Sequence, residues 1–182
     1  DLTDEKLVLR VARKLLESKD SHHATLLLIK ATEEGEISAD LHAWLGIAYA
    51  REGKLDLAII SSEAAIRRDP QAMQGYKNLC RIYSEMKRSK KWKKTLERTG
   101  AVKKPSVNFL VELAGLHHAY GLKHGEEIRA QRARERELLS QARKLKPANP
   151  LVMQQMASGF ERSGGLVEAA EVYEGLLRKA PL

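Results

Sequence analysis

Cysteine occurs once in this chain, at Cys80, and aromatic residues make up only 5% of it. A lone cysteine excludes an internal disulfide, so no covalent staple holds the fold. That usage suits a reducing compartment, and a cytoplasmic location is the expectation. No apolar run approaches the roughly 18 residues needed to cross a bilayer, which excludes a transmembrane helix. Nothing reads as a signal peptide. The chain begins at Asp1 without Met, and an upstream segment removed from it is the expectation that goes with such a start. Glycine and proline are sparse and fall at apparent turns, and 43% of the residues are hydrophobic. Intrinsic disorder is therefore not expected.

The signatures of chemistry are missing as well. There is no glycine-rich phosphate loop, and neither a His-x3-His nor a Cys-x2-Cys spacing occurs. The six histidines are His22-His23, His42, His117-His118 and His124. Adjacent residues on a helix point about 100° apart, so neither pair is a ready metal site. The carboxylates are scattered over charged faces. No enzyme, no cofactor and no metal site is expected. What the chain does have is a local excess of positive charge. Its formal net charge is +8, and residues 73–106 hold eleven Lys and Arg against Glu85 and Glu97 alone. A concentrated excess marks a candidate site for an anionic partner.

The second positive feature is a period of 34 residues. Leu45-Gly46, Tyr49, Gly53, Ala58, Ala65 and Asp69-Pro70 form one unit. One period back from Gly46, Tyr49, Ala58 and Ala65 stand Ala12, Leu15, Ala24 and Ala31; one period on from Gly46 stands Cys80. Apolar residues recur at helical spacing through each half-unit, as in Leu7, Val8, Val11, Ala12, Leu15 and Leu16. Five units follow, at about 5–38, 39–72, 73–106, 107–149 and 150–182. Thr3, Ser38, Ser106 and Asn149 read as N-caps, the last with Pro150 at the first helical position. The first unit should end near Gly35 and the last near Pro181. No polar capping helix follows Pro181, so the array is expected to continue or to meet a partner there.

Two units depart from the pattern. In the third, Trp92 replaces the small residue seen at Ala24, Ala58 and Ala169, which predicts a splayed or re-registered helix pair. In the fourth, Gly121 aligns with the turn glycine Gly53, and nine extra residues fall within Glu126–Glu137. These predict a second helix longer by roughly 13 Å, projecting into solvent because so few of its residues are apolar.

This period and pattern resemble the tetratricopeptide (TPR) family over essentially the whole chain. The resemblance implies an all-α, right-handed superhelical solenoid of stacked antiparallel helix pairs, 1–182 as a single array. It implies a concave groove lined by the first helix of each unit, where family members mostly hold peptides or helices of other proteins. The groove positions map onto Leu9, Arg10 and Arg13, then Ala43, Trp44, Ile47 and Arg51, then Lys77, Asn78 and Arg81. Units four and five add Glu112, His118, Gln154, Gln155 and Ser158. Arginine offers a planar fork for carboxylates, so basic groups around Trp44 suit an acidic or amphipathic peptide with an apolar anchor. Lys77, Asn78 and Arg81 match parts of the family's two-carboxylate clamp for chaperone tails, but the neighbouring units do not supply the rest. The function expected is a non-enzymatic scaffold or adaptor. The alternative is nucleic-acid or polyanion binding through Lys87, Arg88, Lys90, Lys91, Trp92, Lys93 and Lys94. There a buried Trp92, on one helical face with Leu96, competes with a Trp92 that stacks on a base.

Overall fold

The computed structural model describes residues 4–34 and 38–178. Thr3, Gly35 and Pro181 lie outside them. Ten α-helices make up the described chain: α1 Glu5–Glu17, α2 Ser21–Glu34, α3 Ala39–Arg51, α4 Leu55–Arg68, α5 Met73–Glu85, α6 Ser89–Arg98, α7 Val107–Lys123, α8 Ile128–Lys144, α9 Pro150–Ser163 and α10 Leu166–Leu177. Short 3-10 turns follow α6 and precede α8. The helices fall into two compact units, Asp1–Val102 and Lys103–Leu182, each described by itself.

The first unit stacks three helix pairs, with α3 packed against both α1 and α5. Its core is largely aliphatic, with Tyr76, Tyr83 and Trp92 buried in the third pair. Ala12, Ala24, Ala31, Ala58 and Ala65 are buried at the repeat positions, with Leu16, Leu28, Leu41 and Leu79 between them. The N-caps form as the sequence implies at Ser38, whose hydroxyl accepts from Leu41 N at 3.0 Å, and at Asn149, whose side chain accepts from Leu151 N at 2.9 Å. Helix α1 is capped by Asp4, which accepts from Leu7 N at 3.1 Å, one residue after the expected Thr3. A carboxylate caps as well as a hydroxyl and adds charge at the positive end of the helix.

The turn inside four of the five pairs is set by one left-handed residue. Gly53 (φ 75°) and Gly164 (φ 86°) stand there as the sequence implies, but the equivalent places one period either side of Gly53 hold Lys19 (φ 65°) and Lys87 (φ 55°). The next amide closes the turn onto the last helical turn: Lys54 N to Tyr49 O at 2.9 Å, Asp20 N to Leu15 O at 2.8 Å and Arg88 N to Tyr83 O at 2.8 Å.

In the third pair Trp92 is buried, and α6 is only ten residues long. Helix α6 ends at Arg98 and passes into the 3-10 turn Thr99–Ala101.

The second unit holds the two remaining pairs and corrects the reading of the insertion. Gly121 does not turn the chain; it lies inside α7, which runs on to Lys123 and is 17 residues long. Without a left-handed residue at that position, nothing stops the helix. Helix α8 is also 17 residues long. The added residues therefore lengthen both helices, and α8 packs along α7 instead of projecting. A Cβ on Gly121 would stand 2.9 Å from the Gln131 Cβ, so the two helices are close at the inserted turns.

Candidate functional site

The exposed flank of α1 carries Lys6, Arg10, Arg13 and Lys14 one turn apart. These residues, with Leu9, Glu17 and Asp40, line an open depression of about 460 Å³. The Arg13 guanidinium lies over the Trp44 ring at 4.7 Å from its centroid. Such a cation–π contact fixes the planar fork while its edge stays open to a ligand. Glu17 is drawn to Lys14 at 3.1 Å, at the edge of the depression.

Comparison with solved structures identifies this architecture. No protein-family model matches the sequence, and neither does any curated protein. The chain superposes on PilF of Pseudomonas aeruginosa at TM-score 0.56 and 20% identity, over 97% of this chain and 77% of that one. It superposes on MamA of Desulfovibrio magneticus RS-1 at 0.51 and 17%, over 95% and 93%. Human IFIT1, solved as a dimer with PPP-AAAA, superposes at 0.58 and 20%, over 94% of this chain but 46% of IFIT1. The fold is that of TPR proteins.

On that TPR scaffold the structure brings together only part of the expected groove. Arg10, Arg13 and Trp44 meet as described, and Arg81 is exposed on α5. Ile47 does not belong to a binding surface: it is 7% exposed and packs in the core of the first unit. Helix α3 is flanked on both sides, so its apolar positions are covered where the edge helix α1 leaves its own open. Ala43 is buried for the same reason, and Leu9 is buried as well, in the core that α1 shares with α2 and α3. Asn78 is buried and structural. Its Nδ2 donates to the Ala43 carbonyl at 2.8 Å and its Oδ1 accepts from Gln74 at 3.0 Å, which ties α5 to α3. Arg51 donates from its guanidinium to the Leu16 carbonyl at the end of α1. Lys77 is half-buried.

The basic segment divides in the same way. Lys90, Lys91, Lys93 and Lys94 are exposed on α6, and Lys87 and Arg88 form the turn before it. Trp92 is not available to a ligand. It is 5% exposed and shares its face with Leu96. Burial pushes the Cys80 thiol up to about 12, with the neighbouring Trp92 acting weakly the other way, so the thiol is inert.

One cluster escaped the sequence reading. Glu135 on α8 is fully buried. Its Oε2 lies 3.2 Å from His118 Nδ1 and its Oε1 accepts from Arg162 at 3.2 Å. Burial raises its pKa above the ordinary carboxylate value, opposed by the two neighbouring basic groups. Nearby, His117 Nδ1 contacts Gln131 Oε1 at 2.7 Å, and burial lowers the His117 pKa despite that bond. The signal was helical phase: Ile128, Gln131, Glu135, Leu138 and Ala142 share one face. Among the described residues no group of three or more His, Cys, Asp or Glu could hold a metal ion, and no helix is long and apolar enough to cross a membrane.

Proposed function

We propose that the chain is a non-enzymatic adaptor that holds an acidic or amphipathic peptide or helix of another protein against the first unit. The observation that carries this reading is the Arg13 guanidinium stacked on Trp44 beside an open, arginine-lined depression. The working set is Arg10, Arg13, Trp44 and Arg81, with Lys6 at the edge; Ile47 and Asn78 only support it. Carboxylates of the ligand meet the arginines, and its apolar anchor meets Trp44. The second reading, polyanion binding at Lys87–Lys94, rests on exposed lysines with no carboxylate among them. A buried Trp92 removes the stacking platform that single-stranded nucleic acid would use.

Random-peptide display on the immobilised whole chain tests the first reading. Selected peptides should be acidic around one bulky apolar residue. Arg13→Glu with Arg81→Glu should weaken them by ~2 kcal/mol or more. If every selected peptide binds that variant unchanged, with the helical signal intact, this face is not the site.

A further inference from the structure

Helix α8 carries a row of arginines that the adaptor reading does not use. Arg129, Arg132, Arg136 and Arg143 follow one another at spacings of three, four and seven, which keeps them on one flank of the helix. Arg129, Arg132 and Arg136 are exposed. Arg143 is paired with Glu171 of α10. This flank faces α10: the Arg136 Cδ lies 3.2 Å from where a Cβ on Gly165, the residue before α10, would stand. Further along, α8, α9 and α10 enclose an open hollow of about 300 Å³. Met153, Met156, Val172 and Gly175 form its floor, with Arg143, Lys146 and Glu171 at its rim.

We propose that this row and hollow form a second peptide site, for an extended acidic segment that places one bulky apolar side chain on Met153 and Met156. Charge complementarity argues for acidic residues, since Arg129, Arg132, Arg136, Arg143 and Lys146 outnumber the two carboxylates beside them, Glu168 near Gly165 and Glu171 paired with Arg143. The row spans about 21 Å at 1.5 Å per residue. That is the reach of roughly six extended residues. A methionine floor is soft and accepts varied apolar shapes. It offers no aromatic face to a base, so a nucleic acid would leave the hollow empty. The site lies within Lys103–Leu182 and does not depend on the Arg13–Trp44 depression.

The probe is a fluorescein-labelled octapeptide of Asp and Glu with one central Phe. It is titrated against the whole chain carrying Arg10→Ser and Arg13→Ser, so that the depression on α1 no longer contributes. Gly175→Leu blocks the hollow. A Cβ there meets only the Met153 Cε, at 3.5 Å, and leucine favours the helix over glycine, so the fold is kept. This change should weaken the peptide roughly tenfold. Changing Arg129, Arg132 and Arg136 together to Ser should weaken it by about tenfold or more. Replacing the probe's Phe by Ala should weaken binding to the parent but not to Gly175→Leu, because the anchor is already excluded there. Both variants within twofold of the parent overturn the proposal. So does an octa-uridylate RNA that binds more tightly than the peptide, needs the same arginines and ignores Gly175→Leu.

Discussion

The α3/α4 and α7/α8 pairs solve the same packing problem with opposite chemistry. In α3/α4 the helices approach because side chains are missing. A Cβ on Gly46 would stand 2.6 Å from Ser62 Oγ and 3.2 Å from the Ala58 carbonyl. Ala58 and Ser62 are wholly buried. In α7/α8 the helices are longer; Gly121 again admits a close approach, but the added turns also meet through polar side chains matched across the seam. His117 meets Gln131, Tyr120 donates to Glu127 at 3.4 Å, and Glu135 lies between His118 and Arg162. A hairpin closed by small residues tolerates no added volume. One closed by polar pairs tolerates no unpaired partner.

The sharpest way to break the comparison is to add volume to the first kind of seam. A Cβ on Gly75 of α5 would meet the Ser62 carbonyl and the Ile66 side chain, both at 2.9 Å. A carbonyl cannot rotate aside as a side chain can. Gly75→Val should cost about 3 kcal/mol in urea unfolding. A cost near zero would mean that helix pairs in the first unit slide freely and that small residues do not set their spacing.

The matching test on the second seam removes a polar partner and keeps the volume. Gln131→Leu leaves the buried His117 ring without its side-chain partner. The expected loss is roughly 2 kcal/mol near neutral pH. Since burial lowers the His117 pKa, the folded state binds the proton less readily than the unfolded chain does. The stability from a neutral His117 is thus present above its ordinary value of 6.5 and fades as the pH falls below it. Urea melts at pH 7.5 and 5.5 read both effects.

These two seams also show what was legible in the sequence. A seam made of small residues repeats, so Ala24, Ala58 and Ala169 revealed the pairs and their period directly. The cap residues Ser38 and Asn149 and the glycine turns were legible because each satisfies a local backbone demand. The polar seam has no period. His117 and Gln131 lie 14 residues apart and meet only because both helices lengthened. The same limit applied at the groove. Family spacing placed Ile47 and Asn78 on it, but Ile47 is covered because α3 is flanked on both sides, and Asn78 is taken up by its bond to the Ala43 carbonyl. A lysine at a left-handed turn, as at Lys19 and Lys87, carries no compositional mark at all.

The smallest effect, and the most discriminating, is at Glu135. Its raised pKa means that burial outweighs the attraction of His118 and Arg162. The folded state then holds the proton more tightly than the unfolded chain. By linkage, stability falls as the pH rises from the ordinary value of 4.5 through the raised one. Glu135→Gln keeps the shape and removes the titration. The variant should gain on the native chain as the pH climbs from 4 to 7, and at pH 7 it should be ahead by about 1 kcal/mol or less. Urea melts of the two proteins at three pH values decide it. If the gap closes with rising pH, the two basic neighbours win. Glu135 would then be a stabilising ion pair and not a buried charge that the longer α7/α8 seam tolerates.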